Sequence, residues 1–227
     1  MTTIWNRKDN NQVTISMDTK SNLSSMPQIL RLDASGRHYG SISRELADYL
    51  VGRLKELYPR ATLNTRDLIA SQLPFVDDEM IEAFFTSEAQ RTESQKQCLE
   101  LSHALINELR SADYLIVAAP IYNFSIPATL KAWIDLICRS GLTFRFTENG
   151  PVGLLKDRKT YLIAVSAGTL VGSDIDFMTS YMKHIFNFIG IKDVELIVAD
   201  GRADREVKLV AAQNQIENSL KQWVKVG

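Results

Sequence analysis

From Gln28 onward the chain alternates short apolar runs with longer stretches of helical spacing. Ile29–Ala34 reads as a first strand. Arg31 is a misfit within it, because central parallel strands are usually apolar on both faces. Leu46, Leu50, Leu54 and Leu57 recur at i, i+4, i+8 and i+11, so a helix follows Gly40. Pro59 closes that unit and Ala61–Leu68 reads as a second strand. Residues 69–92 form a long connection holding Pro74 and Asp77-Asp78. Thr92 and Gln95 then make a capping-box pair, opening a helix with Cys98, Leu101, Leu105 and Leu109 on one face. Tyr114–Ala119 is a continuous apolar run, as expected of a buried parallel strand. Pro127 suits the first position of a helix whose apolar face is Leu130, Ile134 and Ile137. Tyr161–Val165 and Val194–Ala199 are two further buried strands. The helix between them carries two stripes, one of Met178, Met182, Ile185 and Ile189, the other of Phe177, Tyr181 and Phe188. Leu209, Ile216 and Leu220 define the last helix. This order predicts an α/β domain with a five-stranded parallel sheet covered by helices on both faces. The helix between the last two strands is therefore apolar on two stripes rather than one.

Residues 1–25 break the pattern. Thirteen are Ser, Thr, Asn or Gln, five are charged and seven are apolar without a sustained period. They read as a disordered extension, with 26–227 as the domain and Met26 as an alternative start. The chain is 45% hydrophobic and 23% charged, which is globular. Its net charge of −1 suggests no nucleic-acid partner. No apolar run approaches the ~20 residues of a membrane span. Cys98 and Cys138 form no CxxC pair and there are three histidines, so no metal site is expected. Both cysteines read as core thiols, and free thiols suit a cytoplasmic protein. His103 reads as a solvated surface residue.

Parallel sheets bind ligands beyond the carboxyl ends of their strands, so the loops after strands one, three and four are the places for chemistry. The first runs Ser35-Gly36-Arg37-His38-Tyr39-Gly40-Ser41-Ile42-Ser43 into a helix. Its hydroxyls, amides and helix dipole suit a phosphate, although an ordinary polar loop with a serine cap reads the same way. Neither GxGxxG nor a GK[ST] loop occurs. The second loop, Pro120-Ile121-Tyr122-Asn123-Phe124-Ser125, offers aromatic walls and an amide to a planar ligand, yet Tyr122 and Phe124 taken singly read as core. The third, Ser166-Ala167-Gly168-Thr169, has small residues that let a ligand edge approach the backbone. It also lies one residue away from a hydrolase elbow, with Ser166 as nucleophile, Asp174 or Asp176 as orienter and His184 as base. His184, however, falls in mid-helix.

Taken together, the Ser35–Ser43 loop, Ala119-Pro120-Ile121-Tyr122-Asn123-Phe124 and Gly141-Leu142-Thr143-Phe144-Arg145-Phe146-Thr147-Glu148-Asn149-Gly150 resemble the bacterial FMN-dependent NADH:quinone oxidoreductases, also known as FMN-dependent NADH azoreductases. The likeness runs from about Gln28 to the C-terminus. Ile121 stands where that pattern has Met, and Thr169 where a second Gly is common. The resemblance implies a flavodoxin-like fold, a homodimer, bound FMN, NADH or NADPH as hydride donor, and quinones and azo compounds as acceptors. It implies that Ser35, Ser41, Ile42 and Ser43 hold the FMN phosphate and that Ile121, Tyr122, Asn123 and Phe124 line the isoalloxazine ring. Ser166, Ala167, Gly168 and Thr169 would face the pyrimidine side, offering backbone amides to negative charge, and Phe146 and Phe186 would line the substrate pocket. The flavin would carry the chemistry, so no catalytic side chain is expected. A flavodoxin-like electron carrier is the alternative, though a carrier would usually show a strongly acidic face.

Overall fold

The structure is a computed structural model that describes residues 26–226, with side chains to Lys221. The expectation for residues 1–25 lies outside the described residues. Five parallel strands form one sheet: β1 (Gln28–Asp33), β2 (Thr62–Asp67), β3 (Tyr114–Pro120), β6 (Lys159–Val165) and β7 (Val194–Ala199), in the order β2-β1-β3-β6-β7. The helices are α1 (Ile42–Leu57), α2 (Asp78–Phe85), α3 (Glu93–Ser111), α4 (Ala128–Ile137), α5 (Phe177–Ile189) and α6 (Arg205–Val226).

Side chains alternate across a strand, and β3 divides its own between two cores. Ile116 and Ala118 join Leu46, Leu50 and Leu54 of α1 and Leu209, Ile216 and Leu220 of α6. Leu115, Val117 and Ala119 join Leu105 and Leu109 of α3, Trp133 of α4 and Met178, Met182 and Ile189 of α5. Both faces of the sheet are therefore covered. Arg31 is tolerated in β1 because its guanidinium donates to Asp33 (2.9 Å) and to Asp48 and the Arg44 carbonyl on α1. The capping box at Thr92 and Gln95 is present.

Two elements lie where the sequence shows only connection or loop. Asp77 caps α2 by accepting from the Met80 amide (2.9 Å), but only Met80 and Ala83 of that helix are buried, too few to mark a period. The second is a hairpin, β4 (Phe144–Thr147) against β5 (Gly150–Gly153). Its base meets the C-terminal end of α5, where the Leu155 amide donates to the Ile189 carbonyl (3.0 Å). A Cβ on Gly153 would stand 2.1 Å from the Gly190 nitrogen, so this backbone contact requires glycine.

The chain leaves β1 for β2 on one side and returns to β3 on the other. The strand order reverses at this point, so the crevice between the carboxyl ends of β1 and β3 is the expected ligand site.

Candidate functional site

The loop after β1 enters α1 through Ser41, which occupies the N-cap without making the usual side-chain capping bond. Its Oγ lies 3.2 Å from the Ser43 Oγ instead. Ser35, Ser41 and Ser43 are all buried. The first amides of a helix have no partner within it. Among the described residues, those of Ile42, Ser43 and Arg44 have no acceptor elsewhere in the protein, and Arg44 Nε is buried without one. Buried donors left unmade are costly. Three unanswered amides at a dipole's positive end, beside three hydroxyls, are the donor set a phosphate requires. The FMN phosphate fits these residues.

This loop is braced from beneath. Arg44 donates through Nη1 to Asp67 (2.9 Å) and Asp33 (3.2 Å), and through Nη2 to Asp67 (3.0 Å) and the Ser35 carbonyl (2.8 Å). Burial pushes the Asp67 carboxyl up, but its bonds from Arg44 and from the Ile69 and Ala70 amides hold it below the usual carboxylate range. Sequence reasoning missed this network. Its signals were an Asp ending each of β1 and β2 and an Arg in the first turn of α1.

The loop after β3 turns back on itself. Tyr122 and Ser125 exchange both backbone hydrogen bonds (3.0 and 3.1 Å), and the two residues between them have positive φ, 47° at Asn123 and 72° at Phe124. Positive φ at both central residues is the type I′ pattern. It is tolerable for Asn and strained for Phe, and such strain gathers at functional sites. The turn is held from both sides. Tyr122 Oη accepts from the Gly36 amide of the first loop (3.3 Å), and the Phe124 carbonyl accepts from the Phe177 amide at the start of α5 (3.0 Å). Ile121 is buried beneath, while Tyr122, Asn123 and Phe124 face solvent as a polar and aromatic ledge.

The loop after β6 is arranged differently. Ser166 Oγ accepts from the amides of Gly168 (3.2 Å) and Thr169 (2.9 Å). The Ser166 amide donates to the Ala199 carbonyl (3.1 Å). Of the four amides expected to meet a ligand here, only Ala167 N–H is without an acceptor among the described residues. Ser166 is thus a shaping residue. His184 is exposed on α5, stacked on Phe188, and Asp176 caps α5 by accepting from Met178 and Thr179 (3.0 Å each). Among the described residues, no hydrogen bond joins Ser166 to His184 or His184 to Asp176, so the hydrolase triad is not assembled.

The two expected pocket aromatics part company. Phe146 is 72% exposed, with its ring edge-on to Phe144. Its hairpin, however, docks at the end of α5 opposite the crevice, and a helix of that length spans about 20 Å. Phe186 is 0% exposed. The expectation that it lines a pocket is corrected: its position in α5 turns it into the core with Met182 and Ile189. Both cysteines are half-buried and packed against the core, and burial pushes the Cys98 thiol up and that of Cys138 up to about 12. His103 is half-buried rather than solvated, and burial beside Arg139 and Arg91 lowers its pKa.

A family model for the flavodoxin-like fold matches residues 27–220. An FMN-dependent NADH:quinone oxidoreductase 1 from Hahella chejuensis is 50% identical over 190 residues, covering 83% of this chain and 93% of its own. One from Jannaschia sp. is 45% identical, covering 85% and 98%. The solved structure of an FMN-dependent NADH-azoreductase from Bacillus anthracis in complex with FMN superposes with a TM-score of 0.78 at 26% identity, covering 88% of this chain and all of that one. A chain with this sheet order, this loop at its switch point and relatives of this identity over most of its length belongs to the FMN-dependent NADH:quinone oxidoreductases of the flavodoxin-like fold.

Proposed function

We propose that this enzyme binds FMN in the crevice between β1 and β3, takes hydride from NADH or NADPH, and passes electrons to quinones and azo compounds, cleaving the latter reductively. The observation that carries the reading is the set of unanswered amides at Ile42, Ser43 and Arg44 beside three buried serines. Bound FMN supplies the two-electron chemistry, which explains why no acid–base dyad is needed. The chain's own residues bind and orient. Ser35, Ser41, Ile42 and Ser43 fix the phosphate end. Ile121, Tyr122, Asn123 and Phe124 form the ledge for the ring, and Ser166 to Thr169 bound its far edge with the Ala167 amide as the free donor.

A ring with one face packed against the loops after β3 and β6 would have one face left for both reactants. Hydride transfer needs reacting atoms about 3–3.5 Å apart, so nicotinamide and acceptor take turns in one position and the kinetics are ping-pong. We also propose a homodimer, using the half-buried Tyr181 and Phe188 and the exposed Phe177 of α5, in the cytoplasm, where the two free thiols persist.

Purified protein is expected to be yellow and to release FMN, not FAD, on heating. Rates against NADH at several fixed quinone concentrations should give parallel double-reciprocal lines. A colourless protein that FMN cannot reconstitute would overturn the reading, and intersecting lines would overturn the shared position.

A further inference from the structure

The phosphate cradle has surroundings that ought to repel a phosphate. Asp33 closes β1 two residues before Ser35 and is buried, and it pairs in register with Asp67, which closes β2. Two carboxylates therefore stand at the strand ends from which the cradle springs. The buried part of the cradle offers neutral hydroxyls and amides, while Arg37 and His38 of the same loop are exposed, His38 Nδ1 lying 3.7 Å from Asp67. Like charges brought together in a partly desolvated site are strongly unfavourable.

Arg44 ties all of these groups together. It is the third residue of α1, so its own amide is one of the three unanswered donors. Its guanidinium spends four contacts on Asp33, on both oxygens of Asp67 and on the Ser35 carbonyl. Arg31 takes the other oxygen of Asp33 (2.9 Å) and also reaches Asp48. Both terminal nitrogens of Arg44 are thus engaged by protein groups, in the bidentate geometry only arginine provides, while its Nε is left without an acceptor among the described residues.

The geometry points to Arg44 as a positioning and charge-shielding residue for the flavin phosphate. It cancels the carboxylates of Asp33 and Asp67, and it turns the Ser35 carbonyl away so that hydroxyls and amides face the anion. The inference rests on the loop after β1 being the phosphate cradle. It predicts that Arg44 governs the preference for FMN over riboflavin, which has the same ring system and no phosphate.

The test titrates the full chain, stripped of flavin, with FMN and with riboflavin, following flavin fluorescence. Arg44→Met should weaken FMN binding roughly 10–100-fold and leave riboflavin within about threefold. Arg44→Met combined with Asp67→Asn removes the exposed repulsion along with its shield and should recover much of the loss. Arg44→Lys keeps the charge without the fork and should fall between. The last two variants carry the same comparison if Arg44→Met alone does not fold. Equal losses for FMN and riboflavin, or FMN binding unchanged, would overturn the role of Arg44. If Ser41→Ala with Ser43→Ala lowers the FMN preference while the Arg44 variants do not, the cradle stands and only the shield fails. If the serine pair keeps the wild-type preference, the cradle reading itself is wrong.

Discussion

The loops Ser35–Ser43 and Ser166–Thr169 both leave the carboxyl end of a buried parallel strand, and both carry serine and glycine. In the first, the N-cap hydroxyl of Ser41 turns to Ser43 and the amides of Ile42 to Arg44 are left unanswered. In the second, Ser166 Oγ collects two amides and β7 takes the amide of Ser166 itself. One loop is a donor set in need of an acceptor; the other is a closed turn that sets the shape of a wall. Serine and glycine content shows where a chain can bend near a ligand. Whether the loop binds depends on which donors remain after the protein has satisfied its own.

The largest expected effect breaks the comparison at the first loop. Replacing Ser41 and Ser43 by Ala removes two hydroxyls aimed at a charged group, each costing about 1.5–3 kcal/mol of FMN binding. Riboflavin binding and the melting temperature should change far less. Equilibrium titration with both flavins decides it.

Next comes Ser166→Ala, the matching change in the second loop. It strands the Gly168 and Thr169 amides, so the cost falls on folding, about 1–3 kcal/mol, measured by denaturant unfolding. FMN and riboflavin should weaken together or not at all. A selective loss of FMN would mean that the two loops share one role.

Much of this fold was legible in the sequence because burial leaves a pattern. Tyr114–Ala119 is an apolar run that matches the fully buried β3, and Leu46, Leu50 and Leu54 mark the buried face of α1. Val194–Ala199 is a strand as expected, but β7 lies at the sheet edge, where only Ile197 and Ala199 are fully buried. The parallel sheet covered on both faces followed from the alternation of elements, and the flavodoxin-like topology, which places the site, was implied by the family resemblance. What stayed hidden was held by polar or backbone contacts. α2 buries only two side chains, and the hairpin is fixed by one glycine against another. The family resemblance placed the three loops, but it could not show that Ser166 uses up its neighbours' amides or that Phe186 faces inward. Asp33, Arg44 and Asp67 are 11 to 34 residues apart in the chain, and only the β1–β2 register joins them.

The smallest expected effect sharpens the comparison by pH. Asp176 joins the second loop to α5, accepting from the amides of Gly172 (2.8 Å), Met178 and Thr179. Burial pushes its carboxyl up, but these bonds outweigh burial and hold it below the usual carboxylate range. A folded-state pKa below the unfolded value gives stability that is complete above the unfolded value, about 3.9 for Asp, and is lost as the pH falls through the folded one. Asp176→Ala should therefore cost about 0.5–2 kcal/mol at neutral pH, the usual worth of an N-cap, and progressively less below about pH 4. Carboxylates common to both proteins titrate alike and cancel in that difference. The Ser166 hydroxyl does not titrate in this range, so the gap between wild type and Ser166→Ala should stay level over the same span. Unfolding curves at neutral and acid pH separate the two cases. A Ser166→Ala gap that closes in acid alongside that of Asp176→Ala would show that Ser166 stabilises its turn only through Asp176, and the second loop could not then be treated as closed upon itself.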